Sequence, residues 1–215
     1  VCHAMGISIN EYLVSVYIWS VYTECLHGMP SKCPIRVAVP VNLRPYFNSI
    51  TTKNFFVMVS AEFHPTKETY TFAEVAAIVK ESLRSQINRE NLEKLFSYNV
   101  SNEKLLIARV VPLFLKNLAM KYVYTTSALA NTATITNIGN ISVTEEYRPY
   151  VEMFHAFLAM SKGQHLKGTI CSYGDTLVFS FSYDLVDASV QRGFFRKIAS
   201  DGIAVEIKSN GVNYE

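Results

Sequence analysis

The chain has 215 residues, of which 49% are hydrophobic and only 18% charged, and 20 Lys and Arg set against 18 Asp and Glu leave a net charge of +2. That hydrophobic share excludes a disordered or coiled-coil chain, the near balance of charge gives no general attraction to nucleic acid, and the length allows one large domain or two small ones. Four cysteines (Cys2, Cys25, Cys33, Cys171) without a CxxC pair exclude a disulfide scaffold, a zinc ribbon and a thioredoxin motif; they read as reduced thiols of a cytoplasmic protein.

The first helix is the best signalled. Ser8 followed by Glu11 writes a capping box, apolar residues run over 9–26, and Gly28 stands where a left-handed C-terminal stop is expected. The helix is apolar nearly all round and is expected to be buried. Residues 14–22 are the most apolar stretch, but Ser15 and Ser20 interrupt them and they fall short of the roughly 18 residues of a membrane span. No basic-then-apolar signal pattern is present. The opening at Val1, running straight into this helix, reads as a fragment of a longer protein.

Residues 35–43 read as a strand in which Pro40 removes one ladder donor, forcing a bulge or an unpaired edge. The continuous apolar run at 54–63 predicts a second strand buried on both faces. Thr71 and Glu74 write another capping box and open a helix to about Ile87. An all-helical, amphipathic block follows, through 92–96 and again over 105–124, with Pro112 starting or kinking a helix.

The last third reads as β-rich. Strands are expected at 133–138 and 151–160, and a hairpin at 168–173 and 176–183 turns on Gly174 and Asp175. Asp187 caps a helix over 188–200 that Gly202 ends, and 203–208 forms a last strand. Helices between strands with mixed connections predict a two-layer α/β sandwich with a mixed sheet.

Chemistry is thinly written. There is no GxGxxG, P-loop, HExxH or GxSxG. His3, His27, His64, His155 and His165 lack ligand-like spacings, so no metal is expected. His155 reads as a hydrogen-bonded core residue rather than a base, His165 as a solvated turn residue and Cys171 as a small core residue. Residues 182–188 end a strand and begin a helix, a favoured place for chemistry. The plainer account is that Asp187 caps and Tyr183 fills the core.

In order, GISINEYLVSVYIWSVY (6–22), IRVAVPVNLRPYF (35–47), KNFFVMVSAEF (53–63), ATITNIGNI (133–141) and 174–207 resemble the C-terminal half of the chloramphenicol acetyltransferase-like superfamily. The nearest likeness is to alcohol O-acetyltransferases and condensation-domain-like proteins. The resemblance implies a single domain over residues 1–215, one C-terminal lobe of a two-lobed acyltransferase. Its partner would be the N-terminal lobe of the same protein, across a tunnel that admits acyl-CoA or a carrier-bound thioester from one side and an alcohol or amine from the other. No tightly bound cofactor is implied; acyl-CoA is a co-substrate.

The family's general base is the histidine of an HHxxxDG motif on the other lobe, and this chain has no such motif. By the resemblance, Tyr183 stands where a catalytic histidine would, and Asp187 where the motif aspartate would. Asn42-Leu43-Arg44 matches a strand-end pattern whose arginine pairs with the other lobe's motif aspartate, or else Arg44 is an exposed turn residue. Asn54 occupies the second place of a Gly-Asn pair, with Lys53 replacing the glycine, which argues against close ligand approach there. Thr136, Asn137 and Gly139 lie on a tunnel-lining strand and could offer donors to an oxyanion, or form a plain strand and turn. The expected outcome is a chain inactive alone. The alternatives are a non-catalytic module that recognises a carrier protein or partner subunit, and a homodimer formed through the apolar face a missing lobe would leave open.

Overall fold

A computed structural model describes residues 1–104, 111–161 and 163–210, with the side chains of 99–104 and 127–129 left aside. The elements in chain order are α1 (Cys2–Met5), α2 (Ile9–Glu24), β1 (Ile35–Asn42), β2 (Phe56–Phe63), α3 (Phe72–Gln86), α4 (Arg89–Lys104), α5 (Leu113–Leu129), β3 (Ala133–Asn140), a 3-10 turn (Arg148–Tyr150), β4 (Leu166–Tyr173), β5 (Thr176–Tyr183) and α6 (Ser189–Ser200). The five strands form one sheet in the order β2-β1-β3-β4-β5. Its outer pairs are antiparallel, while β1–β3 and β3–β4 are parallel. This is the expected mixed α/β architecture.

Both capping boxes form. Ser8 Oγ accepts the Glu11 N–H at 3.1 Å while Glu11 Oε2 accepts the Ser8 N–H at 2.7 Å, and Thr71 and Glu74 exchange the same pair of bonds. α2 is buried almost all round, and lies between α3 and α6 over the sheet. Gly28 takes φ 73° and its N–H closes on Tyr22 O at 3.0 Å. The core is strongly aromatic: Tyr22, Phe63 and Tyr70 meet edge to face, as do Phe181 and Phe194. Two core phenols end on acceptors, Tyr12 on Asp201 Oδ2 at 2.7 Å and Tyr22 on Gly28 O at 2.6 Å. Gly168 lets β4 and β5 pack this tightly. A Cβ there would stand 2.7 Å from Phe179 Cζ and 3.2 Å from Ile135 Cγ1.

Several expectations are corrected. β2 is not buried on both faces: Val57, Val59, Ala61 and Phe63 face the core, and Phe56, Met58, Ser60 and Glu62 alternate outward. It is an edge strand, which needs only one apolar face. Its outer edge is covered by α3. The Ser60 N–H donates to Gln86 Oε1 at 3.3 Å, Gln86 Nε2 donates to Ser60 O at 2.9 Å, and the Glu62 N–H donates to Ser82 Oγ at 3.1 Å, so the edge offers few open groups to a passing strand. Pro40 causes no bulge toward β2, because the register runs unbroken from Ile35↔Phe63 to Asn42↔Phe56. The other expected outcome holds: the ladder to β3 covers only Val37 and Ala38, so Pro40 stands at an unpaired edge on that side.

Residues 151–160 belong to no ladder. β4, the strand beside them, already has β3 and β5 as neighbours, so no edge is left to join. They lie instead as a strap across the sheet face opposite the helices. His155 is accordingly exposed on the strap, stacked on Phe157, not a core residue. Residues 203–208 likewise make no ladder, although Val205 packs against the core. The N-cap of α6 is Ala188 rather than Asp187, which reaches past it to accept the Ser189 N–H at 2.9 Å and the Ser189 hydroxyl at 2.7 Å. Tyr183 does not fill the core: it is 39% exposed.

The expected helix over 105–124 begins outside the described residues. From Pro112, whose carbonyl accepts the first helical bonds, α5 runs to Leu129. It is not amphipathic: Leu113, Phe114, Leu118, Tyr122 and Val123 are all exposed around it. No described helix is long and apolar enough to cross a membrane.

Candidate functional site

Strand direction sorts the candidate residues into groups. Because β1, β3 and β4 are parallel and β2 is antiparallel to β1, the ends at Asn42, Asn140, Tyr173 and Phe56 share one edge of the sheet. This carboxyl end of the parallel strands is where α/β sheets place their ligands. Asn42, Arg44, Asn54 and Gly139 lie there, while Thr136 and Asn137 stand mid-strand, level with Thr169 and Ile170. Tyr183 pairs with Leu166 at the opposite end. The structure thus brings four candidates to one edge, sets two in the middle of β3 and leaves Tyr183 and Asp187 at the other end.

At the first edge Arg44 organises a loop. Its Nε and Nη2 donate to Thr51 O at 3.2 and 3.0 Å, Nη2 donates to Lys53 O at 2.7 Å, and Nη1 donates to Asn42 Oδ1 at 3.2 Å. Asn42 Oδ1 also accepts the Arg44 N–H at 3.1 Å. The guanidinium therefore folds residues 44–53 back onto the end of β1, and four of its five N–H groups are occupied. Asn54 is exposed beside this loop. Among the described residues His27, at φ 51°, is the one non-glycine with positive φ, so Lys53 carries no such strain.

Thr136 and Asn137 are consecutive on β3 and so point to opposite faces. Ile135 faces the core, which puts Thr136 on the helix-free side with Asn42. The β3–β4 register shifts between Asn137 and Gly139, and Ile138 is the extra, exposed residue. Gly139 takes φ 87° to absorb this bulge, and Asn137 Oδ1 fixes it by accepting the Gly139 N–H at 2.8 Å. The Asn137 amide nitrogen keeps its donors.

At the second edge a pair appears that sequence reasoning missed. His165 Nδ1 lies 3.0 Å from Asp184 Oδ1, both groups being exposed, and the Asp184 N–H donates to His165 O at 3.3 Å. An aspartate beside Nδ1 orients the ring. The signal was present: counting outward from the Gly174-Asp175 turn sets His165 opposite Asp184. Asp187 is held below the ordinary aspartate range chiefly by the Ser189 hydroxyl and N–H.

Three further features stand outside those groups. An open cleft of about 320 Å³ is lined by Arg36, Ser60, Glu62, Ser82, Gln86 and Asn131. Its polar groups are engaged with one another, Arg36 Nε with Glu62 Oε2 at 2.9 Å and Ser60 Oγ with Asn131 Oδ1 at 3.0 Å. Cys171 is buried on the helix-free face, its thiol donating to Phe154 O at 3.1 Å while burial pushes its pKa up, which suits an inert core thiol. Among the described residues no cluster of His, Cys, Asp and Glu could hold a metal.

Comparison with known proteins places this architecture. No family model matches the chain, and no curated protein does. Solved structures do match. The epimerization domain from the third module of tyrocidine synthetase B aligns with TM-score 0.55 and 11% identity over 92% of this chain and 42% of its own. A nonribosomal peptide synthetase, FmoA3, gives 0.54 and 16% over 93% of this chain and 20% of its own. Polyketide synthase associated protein 5 from Mycobacterium tuberculosis gives 0.53 and 10% over 92% and 45%. The chain therefore shares its mixed α/β fold with part of each of these structures. The chain spans less than half the length of each of these structures.

Proposed function

We propose that this chain is one lobe of an enzyme that transfers an acyl group from a thioester, with an alcohol or amine as acceptor and free CoA or a carrier protein as the donor's handle. The observation that carries this reading is the sheet itself. One face is closed by α2, α3 and α6; the other presents polar side chains under a ten-residue strap that has no strand to pair with. A second lobe seated on that side would complete a cleft whose near wall holds Asn42 and Thr136. Its rim would hold the loop that Arg44 folds. The lengths matched in the solved structures fit a half-sized unit.

In this reading Arg44 is a positioning residue for residues 44–53, and Thr136, on the helix-free side, offers a donor to developing negative charge. By the resemblance Tyr183 holds the place of a catalytic histidine, but it lies at the far end of the sheet from Asn42, and a phenol is a poor base at neutral pH. The chain alone is therefore expected to release no thiol from acetyl-CoA in the presence of small alcohols or amines. A measurable rate, abolished by Tyr183→Phe or His155→Ala, would overturn the proposal. The second reading, a module that recognises a carrier protein without chemistry, is favoured by Tyr183, a tyrosine where the resemblance places a catalytic histidine. Saturable binding of an acyl-loaded carrier with no turnover, even when the missing half is supplied, would select it.

A further inference from the structure

The helix-free face of β3, β4 and β5 is polar where strand faces this deeply covered are usually apolar. The ladders align Thr134, Lys167 and Ser182 in one transverse row and Thr136, Thr169 and Ser180 in the next. The strap over 151–161 covers both, so that Lys167 is only 8% exposed, Thr169 2% and Ser180 7%. A lysine this covered is ordinarily paired with a carboxylate. Here Nζ donates to Ala159 O at 2.8 Å and to Ser161 Oγ at 2.7 Å, both neutral, and no carboxylate among the described residues forms an ion pair with it. One of its three N–H groups remains. In the neighbouring row Thr169 Oγ1 is buried without a hydrogen-bond partner. A buried cation without a counter-charge and a buried hydroxyl without a partner stand side by side on one face. An anion meets both, neutralising the ammonium and accepting from the hydroxyl.

We propose that this face is a binding site for a small carboxylate, with the Lys167 ammonium as its counter-charge and the hydroxyls of Thr169 and its row neighbours Thr136 and Ser180 as its donors. The proposal goes beyond the acyl-transfer reading and does not need it. A single cation with one free N–H and uncharged hydroxyls suits one negative charge spread over two oxygens. A phosphate dianion calls for more cationic donors than this face holds. Access is through the strap. Residues 152–160 donate no backbone–backbone hydrogen bond among those described, and the strap is held by side chains of its neighbours: Lys167 and Cys171 donate to its carbonyls, Lys208 reaches the Met153 sulfur and Tyr173 packs edge to face on Phe154. Lifting its middle therefore breaks no ladder. Burial also lowers the Lys167 pKa, as it must for an ammonium without a partner, and a bound carboxylate would raise it again.

The test is calorimetric titration of the 215-residue chain, at constant ionic strength, with propionate, its neutral isostere propionamide, and inorganic phosphate. The expected result is saturable binding of propionate, none of propionamide, and weaker binding of phosphate. Lys167→Met keeps the stem and removes the charge. It should fold and weaken propionate about tenfold or more, the effect of losing a charged hydrogen bond. Thr169→Val should weaken it several-fold. Equal binding of the acid and the amide, phosphate binding as tight as propionate, or propionate affinity unchanged in Lys167→Met would each overturn the proposal. If Lys167→Met does not fold, Thr169→Val decides: unchanged affinity there overturns it.

Discussion

The two faces of the sheet are built on different principles. On the helix side Tyr22, Phe63, Phe179, Phe181 and Phe194 interlock, and the phenols of Tyr12 and Tyr22 end on good acceptors. On the strap side hydroxyls, an ammonium and a thiol stand beneath a segment that meets them through the Phe154 and Ala159 carbonyls and the Ser161 hydroxyl. The first face stores stability and determines the fold. The second gives up part of that stability to keep polar groups facing a partner or ligand. Substitutions on the two faces should therefore behave oppositely.

The largest effect is expected on the helix side. Phe194→Ala removes a fully buried ring between Phe179 and Phe181 and should cost about 3–5 kcal/mol in urea unfolding. Gly168→Ala adds a single carbon, but into Phe179 and Ile135, which are themselves wedged in the core. It should cost about 1–3 kcal/mol through overpacking. A neutral outcome for either would mean that this face is looser than its contacts imply, and the contrast between the faces would shrink.

These contrasts were unequally legible in the sequence. Local signals survived: Ser8 with Glu11, Thr71 with Glu74, and the Gly174-Asp175 hairpin all appear where the residues put them. Each depends on neighbours three or four residues away. What failed depended on the rest of the sheet. Residues 151–160 have strand composition, yet β4 had no free edge for them, and no local pattern reports whether an edge is vacant. The continuous apolar run of β2 looked doubly buried because Phe56 and Met58 are apolar, although both face outward on an edge strand. The candidate site residues were found as separate motifs. That four of them share one edge while Tyr183 sits at the other follows only from strand direction, which the sequence does not state. Lys167 gave no signal at all, since a lysine in a strand is ordinarily read as solvent-facing.

A smaller effect on the helix side comes from charge at its caps. Ser8→Ala should cost about 1 kcal/mol by freeing an N-terminal donor of α2. For Glu11, burial pushes the carboxyl up, but the Arg84 guanidinium, at 2.7 and 3.0 Å, and the Ser8 donors together hold it below the ordinary value of 4.5. Glu74 is pulled down to about 2 by Lys67 and Thr71. A carboxylate whose folded pKa is depressed adds stability that is complete above its unfolded pKa and is lost as pH falls through the folded one. Stability should therefore hold down to about pH 4.5 and fall away towards pH 2. In Arg84→Met burial acts on Glu11 with less opposition, so the acid limb should move to higher pH. An acid limb that does not move would show that the Ser8 donors alone hold the charge.

The smallest effect, and the one with reversed sign, belongs to the strap side. Lys167→Met replaces a covered, unpaired ammonium with an apolar stem of similar length, so at neutral pH the variant should be as stable as the wild type or more so. Burial sets the wild-type lysine below its ordinary 10.5. Between the folded and unfolded values the unfolded chain then binds more protons, and wild-type stability gains as pH rises toward 10.5. Tyr12 and Tyr17, whose burial raises their phenols, titrate alike in both proteins and cancel in the comparison. Urea midpoints measured from pH 7 upward should thus show the variant's advantage shrinking as alkalinity increases. A variant that starts less stable and stays so at every pH would mean that the ties to Ala159 and Ser161 outweigh the covered charge. The strap would then be part of the stable half of the molecule, and the contrast between the two faces would be lost.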